Sequence, residues 1–203
     1  MPTSRYAITD RTQYAETEPE RHAAFVAQAA RLAAEGVEYL QLREKDLPVQ
    51  DLIGVAREIL SVIRVAGSGT RLLVNSRADV ALAAGAHGVH LPSGEEQLAP
   101  GQVRWLFERA GAGEPVVSVS CHTLAEVRRA HGAAADLVLF GPVFGKSAGG
   151  ETVVPGTGLE ALREACAAAG GTPVLALGGV TEANLATTIA AGAAGIAAIR
   201  LFR

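Results

Sequence analysis

A chain of 203 residues is long enough to bury one substantial core but short for two, so a single domain spanning 1–203 is expected. Hydrophobic residues at 49% and charged residues at 19% exclude a disordered chain, and a net charge of −3 with no lysine or arginine block excludes the basic footprint of a nucleic-acid binder. Met1 to Asp10 has no basic segment followed by an apolar run, and no stretch approaches the roughly 18 apolar residues of a membrane span, so a cytoplasmic location with no membrane partner is expected.

In chain order, short aliphatic or β-branched runs alternate with alanine-rich stretches. Tyr6-Ala7-Ile8 is followed by a helical window from Glu20 to Ala34, Tyr39-Leu40-Gln41-Leu42 by Val49 to Ile63, and Leu72-Leu73-Val74 by Ala78 to Ala84. Gly88-Val89-His90-Leu91 precedes Pro100 to Ala110, and Val116-Val117-Ser118-Val119 precedes Leu124 to Ala130. Leu137-Val138-Leu139-Phe140, Val174-Leu175-Ala176-Leu177 and Gly195-Ile196-Ala197-Ala198-Ile199 complete the strands, with helices from Gly158 to Ala168 and Glu182 to Ala190 between them. Several helices close on a glycine, as in Ala34-Glu35-Gly36 and Ala84-Gly85, where a left-handed cap ends the helix.

This alternation predicts βα units and a parallel sheet. Eight strands close most naturally into an α/β fold, a (β/α)8 TIM barrel, with its site at the carboxyl ends of the strands. An open doubly wound sheet is weaker, because no Gly-x-Gly-x-x-Gly follows the first strand. Arg203 lies a few residues past the eighth strand, so the last helix is expected to be missing or very short, its groove filled by a partner subunit in a homo-oligomer or by other helices. Cys121 and Cys166 lack metal-ligand spacing and are expected to be buried, inert thiols.

Strand ends carry the polar residues. Strand alternation turns Gln41 and Arg43 inward, where with Lys45 they could hold a diphosphate; the alternative is a solvated loop with local ion pairs among Arg43, Glu44, Lys45 and Asp46. Asn75 could reach a ligand or cap the next helix. Glu95 and Glu96 could meet a divalent ion or serve the helix dipole. Ser120 could donate to an anion, whereas His122 or Thr123 opens a helix. The segment from Gly141 to Gly150 has the composition of a mobile loop that closes over substrate or simply connects. Gly178-Gly179 and Ile199-Arg200 follow the last two strands, where barrels commonly bind phosphate through backbone N–H groups, with Thr157-Gly158 adding a hydroxyl and an N–H.

Taken in order, Tyr6-Ala7-Ile8-Thr9-Asp10, Gln41-Leu42-Arg43-Glu44-Lys45, Val74-Asn75, Gly88-Val89-His90-Leu91, Ser120-Cys121-His122-Thr123, Phe140-Gly141-Pro142-Val143-Phe144 and Leu177-Gly178-Gly179-Val180 resemble the thiamine phosphate synthase and TenI family over nearly the whole chain. The resemblance implies a transferase joining hydroxymethylpyrimidine diphosphate to thiazole phosphate, releasing diphosphate through a dissociative, cation-like transition state helped by Mg2+. It implies that Gln41, Arg43, Lys45 and Asn75 hold the diphosphate, with Lys146 as a shifted substitute for a family lysine and Ser120 near the reacting groups. Gly178, Gly179, Ile199 and Arg200 would hold the thiazole phosphate. Two positions depart from the synthase: a metal-binding Asp is replaced by Ser76, and a second aligns with Glu95. Leu91-Pro92-Ser93-Gly94 is closer to TenI, the thiazole tautomerase branch, yet that branch's histidine after Phe140-Gly141 is Pro142. A tautomerase and a non-catalytic thiazole-phosphate binder are the alternatives.

Overall fold

The computed structural model describes residues 3–14, 17–94, 97–148 and 151–203. Among the described residues there are ten strands: β1 (Ser4–Ile8), β2 (Tyr39–Leu42), β3 (Arg71–Asn75), β4 (Gly88–Leu91), β5 (Val116–Cys121), β6 (Leu137–Phe140), β7 (Lys146–Ala148), β8 (Glu151–Val154), β9 (Val174–Leu177) and β10 (Gly195–Ala198). Eight of them form a closed parallel barrel in the order β1-β2-β3-β4-β5-β6-β9-β10, with β10 returning to β1, and β7 and β8 pair as a separate antiparallel hairpin. The helices are α1 (Glu18–Ala34), α2 (Val49–Val65), α3 (Ala78–Ala84), α4 (Pro100–Arg109), α5 (Leu124–Gly132), α6 (Gly158–Ala168) and α7 (Glu182–Ala190). The TIM barrel expected from the alternation is therefore the fold.

Strand alternation divides the apolar residues into two cores. Tyr6, Ile8, Leu73, Leu137, Leu139, Leu175 and Ala197 fill the barrel interior. Their neighbours Ala7, Leu72, Val74, Val138, Phe140, Val174 and Ala176 face outward and pack against the helices. On α1 the buried residues Phe25, Ala29, Leu32 and Ala33 recur at helical spacing, and Leu52, Val55, Ala56, Ile59 and Ile63 do the same on α2. Burying each large side chain contributes about 1.5–3 kcal/mol, which makes these stripes sufficient to dock the helices on the sheet.

One expectation needs correction, and another is met. The stretch after β6 is not irregular throughout, because Lys146–Ala148 and Glu151–Val154 pair as the β7–β8 hairpin, with a register shift between Lys146 and Ser147. Its glycines drew attention away from Thr152-Val153-Val154, a run suited to a strand. Gly149 and Gly150 themselves lie outside the described residues. After β10 the chain makes only a 3-10 turn, Arg200–Phe202, as a very short last helix would. Phe202 is buried there, and its carbonyl accepts from Gln28 Nε2 and Arg31 NH2 of α1, each at 2.7 Å, so α1 itself packs against this end.

Cys121 is buried and Cys166 half-buried; burial pushes the Cys121 thiol up to about 12 and raises that of Cys166 as well, which keeps both from acting as thiolates. Among the described residues no helix is long and apolar enough to cross a membrane.

Candidate active site

The mouth of the barrel is built first by Arg11, on a 3-10 turn (Arg11–Gln13) after β1. This side chain is only 7% exposed and forks onto Asp46, NH1 donating to Oδ1 at 2.7 Å and NH2 to Oδ2 at 2.9 Å. It also donates to Glu18 at 3.3 Å and to Glu44 at 3.5 Å, while its backbone N–H donates to both Glu44 carboxylate oxygens at 3.2 and 3.1 Å. Charge-assisted, bidentate pairing of this kind is strong and directional. Hydrogen bonding to Arg11 holds the Asp46 carboxyl below the usual range, whereas desolvation pushes the buried Glu44 carboxyl up.

The consequence falls on the residues between them. Glu44 and Asp46 are taken by Arg11, and the Arg43 backbone N–H is anchored on Thr9 Oγ1 at 2.9 Å. Among the described residues the charged ends of Arg43 and Lys45 have neither a hydrogen bond nor an ion pair. The self-neutralised loop weighed from sequence is thus not what forms: among the described residues Arg43, whose charge is felt by Asp10 and His90, and the exposed Lys45 are not hydrogen-bonded to Glu44 or Asp46.

Beneath them Gln41, 1% exposed, donates through Nε2 to Asn75 Oδ1 at 2.8 Å, and Asn75 Nδ2 donates to Ser76 Oγ at 2.9 Å. Gln41 Oε1 is buried and has no partner. An orphaned buried acceptor is costly, so a donor reaching this atom would be favoured. Asn75 is not a helix cap, because Arg77 occupies the N-cap of α3 without a side-chain bond.

The Mg2+ expectation fits the described donors poorly. No three His, Cys, Asp or Glu come together among the described residues, and the carboxylates near the mouth already have partners: Asp10 with Thr12 and Gln13, Glu44 and Asp46 with Arg11, Asp79 with Arg77. Ser76 stands at a φ of 62°, a conformation that Asp and Asn adopt more readily than serine. Glu95 and Glu96 lie outside the described residues.

Inside the barrel a second polar cluster runs from the core to the mouth. Tyr6 Oη lies 3.0 Å from Ser118 Oγ and 3.4 Å from His90 Nδ1, and His90 Nδ1 lies 2.9 Å from Ser118 Oγ. On the other side of the ring, His90 Nε2 lies 2.9 Å from Ser120 Oγ. Burial, followed by the nearby charge of Arg43, draws the His90 imidazole down to about 3, so it is neutral at ordinary pH. Burial likewise raises the Tyr6 phenol, keeping it protonated.

Of this cluster only Ser120 was expected from sequence. The signal for the rest was parity: Ser118 and Ser120 share one face of β5, and His90 pairs with Ser118 in the β4–β5 register and with Asn75 in the β3–β4 register. His122, in contrast, serves structure. Its Nδ1 donates to the Gly141 carbonyl, and Thr123 caps α5 with Glu126 in a capping box.

After β9, Gly178 and Gly179 take φ values of 92° and 67°, and a Cβ on either would be blocked. It would lie 2.6 Å from Pro142 Cβ at Gly178 and 2.8 Å from the Gly145 carbonyl oxygen at Gly179. The carbonyls here are engaged: Val143 N–H donates to Leu177 O at 2.8 Å, Phe144 N–H to Gly178 O at 3.0 Å, and Asn184 Nδ2 to Gly179 O at 3.0 Å. The N–H groups of Gly178, Gly179, Ile199 and Arg200 donate no hydrogen bond among the described residues. Adjacent free N–H groups of this sort make an anion-binding concavity.

The help expected from Thr157-Gly158 is absent. Thr157 N–H and Oγ1 both donate to the Pro142 carbonyl, at 2.8 and 3.1 Å, and Gly158 N–H donates to Val143 O at 2.9 Å. Lys146 opens β7, and its side chain lies outside the described part of the structure.

Comparison with known proteins places this mouth in context. A family model described as thiamine monophosphate synthase matches residues 5–202. A putative thiamine-phosphate synthase from Geobacter sulfurreducens is 41% identical over 97% of this chain and 84% of its own length. A thiamine-phosphate synthase from Methanoculleus marisnigri is also 41% identical, over 84% of this chain and 76% of its own. Among solved structures, a thiamine phosphate pyrophosphorylase from Pyrococcus furiosus superposes with a TM-score of 0.77 at 26% identity, covering 97% of this chain and 85% of that one. Matched along almost its full length in sequence and in fold, the chain belongs to the thiamine monophosphate synthase family.

Proposed function

We propose that the protein is a transferase that joins hydroxymethylpyrimidine diphosphate to thiazole phosphate, giving thiamine phosphate and diphosphate. The observation that carries this reading is the pair of cations at the end of β2, Arg43 and Lys45, whose charged ends make no hydrogen bond or ion pair among the described residues while Arg11 takes the carboxylates between and beyond them. They suit a diphosphate leaving group. The C–O bond to that group breaks, a C–N bond to the thiazole forms, and the negative charge that develops on diphosphate is what the site must stabilise.

The remaining residues take roles that match their free valences. Gln41 Oε1, an acceptor, suits the amino group of the pyrimidine better than an anionic oxygen, and Asn75 holds Gln41 in place. Ser120 stands at the mouth beside the ring. The free N–H groups of Gly178, Gly179, Ile199 and Arg200 suit the thiazole phosphate. No proton needs to move, which agrees with a neutral, buried His90 and with Pro142 at the position where the tautomerase branch has a histidine. A reaction between two small phosphorylated molecules fits a cytoplasmic location.

Incubation of the purified protein with both substrates in a buffer containing Mg2+, followed by separation of products, tests the reading. Thiamine phosphate and diphosphate formed in equal amounts support it. Binding of thiazole phosphate with no product from the pair would make the protein a binder instead.

A further inference from the structure

The cluster inside the barrel has a hydrogen-bond polarity that can be worked out from its parts. Tyr6 and Ser118 each bring one hydroxyl hydrogen, and their only described partners are each other and His90 Nδ1. A neutral imidazole offers one N–H and one bare nitrogen. If Nδ1 carries the proton, three hydrogens point into a group with only two hydroxyl oxygens to receive them, and the chain Nδ1–H to Ser118 to Tyr6 ends with a phenol hydrogen that has no acceptor. If Nδ1 is bare, Tyr6 donates to Ser118, Ser118 donates to Nδ1, and every hydrogen is placed. The second arrangement satisfies a fully buried network and the first does not.

With Nδ1 bare, the proton sits on Nε2 and is donated to Ser120 Oγ across 2.9 Å. Ser120 Oγ is then an acceptor toward the interior, and its own hydrogen is directed to the mouth. We propose that Tyr6 and Ser118 are positioning residues, which lock His90 in the Nε2–H form and so make Ser120 a hydrogen-bond donor to an acceptor atom of the ligand, a ring nitrogen of the pyrimidine. This rests on the transferase reading for the identity of the ligand, but not for the tautomer. A donor at Ser120 and the bare acceptor at Gln41 Oε1 then read opposite polarities of an aminopyrimidine, which has both ring-nitrogen acceptors and an amino donor. The charged or titratable groups acting on His90 are Arg43, Tyr6 and the hydroxyls described; among these only Arg43 carries charge at neutral pH.

The test begins with the ligand-free protein labelled with 15N in its histidine rings. Long-range 1H–15N correlation, with His90 assigned by its loss in His90→Gln, should show Nε2 protonated and Nδ1 bare from about pH 5 to 8. A protonated Nδ1 would overturn the proposal, whether or not the protein turns over the substrate pair. For function, Tyr6→Phe/Ser118→Ala should raise KM for the pyrimidine diphosphate about ten-fold, roughly the effect of losing one hydrogen bond, and leave KM for thiazole phosphate within about two-fold. In a Ser120→Ala background the same pair of changes should add nothing. An equal increase in that background would mean that Tyr6 and Ser118 only support the barrel. Should the double variant not fold, Tyr6→Phe alone is compared in the two backgrounds by the same criterion.

Discussion

At the end of β2 the mouth presents charge on side chains, Arg43 and Lys45, whereas on the far side of β1, after β9 and β10, it presents backbone N–H groups exposed by two glycines at positive φ. The first depends on residue identity and on an ion-pair frame, with Arg11 engaging Glu44 and Asp46 so that neither pairs with the cations among the described residues. The second depends on backbone shape and on the absence of side chains, because Pro142, Phe144 and Gly145 close in on Gly178 and Gly179. A leaving group whose charge grows needs cations, whereas a phosphate that is merely held needs only amides; under the proposed reaction the two halves of the mouth would divide those two tasks.

Substitutions that cross this division should separate the halves. The largest effect is expected from Arg43→Ala, which removes charge stabilisation at the leaving group and should lower kcat/KM for the pyrimidine diphosphate by about 10²–10³ in steady-state assays. Gly179→Ala forces a side chain into a left-handed backbone against Phe144 and Gly145, a strain of about 1–3 kcal/mol, so the Kd for thiazole phosphate should rise roughly 10- to 100-fold by calorimetry.

The interior between the halves has its own signature in acid. The folded protein keeps His90 neutral down to about pH 3, while the unfolded chain protonates that histidine near its ordinary value of 6.5. Stability from this group is therefore present above about pH 6.5 and is lost as pH falls toward 3, at about 1.4 kcal/mol per pH unit. Denaturation of the wild type and of His90→Gln across that range should show this slope as the difference between them. Last, Arg200→Ala should change thiazole phosphate affinity by no more than about two-fold, since position 200 contributes its amide and its side chain is exposed.

How much of this was legible in the sequence follows from how local each feature is. The helices α3, α6 and α7 match their expected spans, because an apolar stripe and a terminating residue are written in neighbouring positions. The open backbone at Gly178 and Gly179 was legible from two adjacent glycines placed directly after the seventh barrel strand. The β7–β8 hairpin was not, since flanking glycines looked like a flexible connection and obscured the strand-forming run beside them. Nor was the free state of Arg43 and Lys45, which depends on Arg11, more than 30 positions earlier in the chain. Least legible was the network behind Ser120, because Tyr6 meets His90 across 84 positions and Ser118 across 112, and only barrel closure brings them together.

Calorimetry on Arg43→Ala and Gly179→Ala, each titrated with the pyrimidine diphosphate and with thiazole phosphate, tests the division of the mouth most directly. The predicted result is crossed: Arg43→Ala loses the pyrimidine diphosphate and keeps thiazole phosphate, and Gly179→Ala does the reverse. Loss of both ligands in a folded variant, or loss of thiazole phosphate in Arg43→Ala alone, would contradict it.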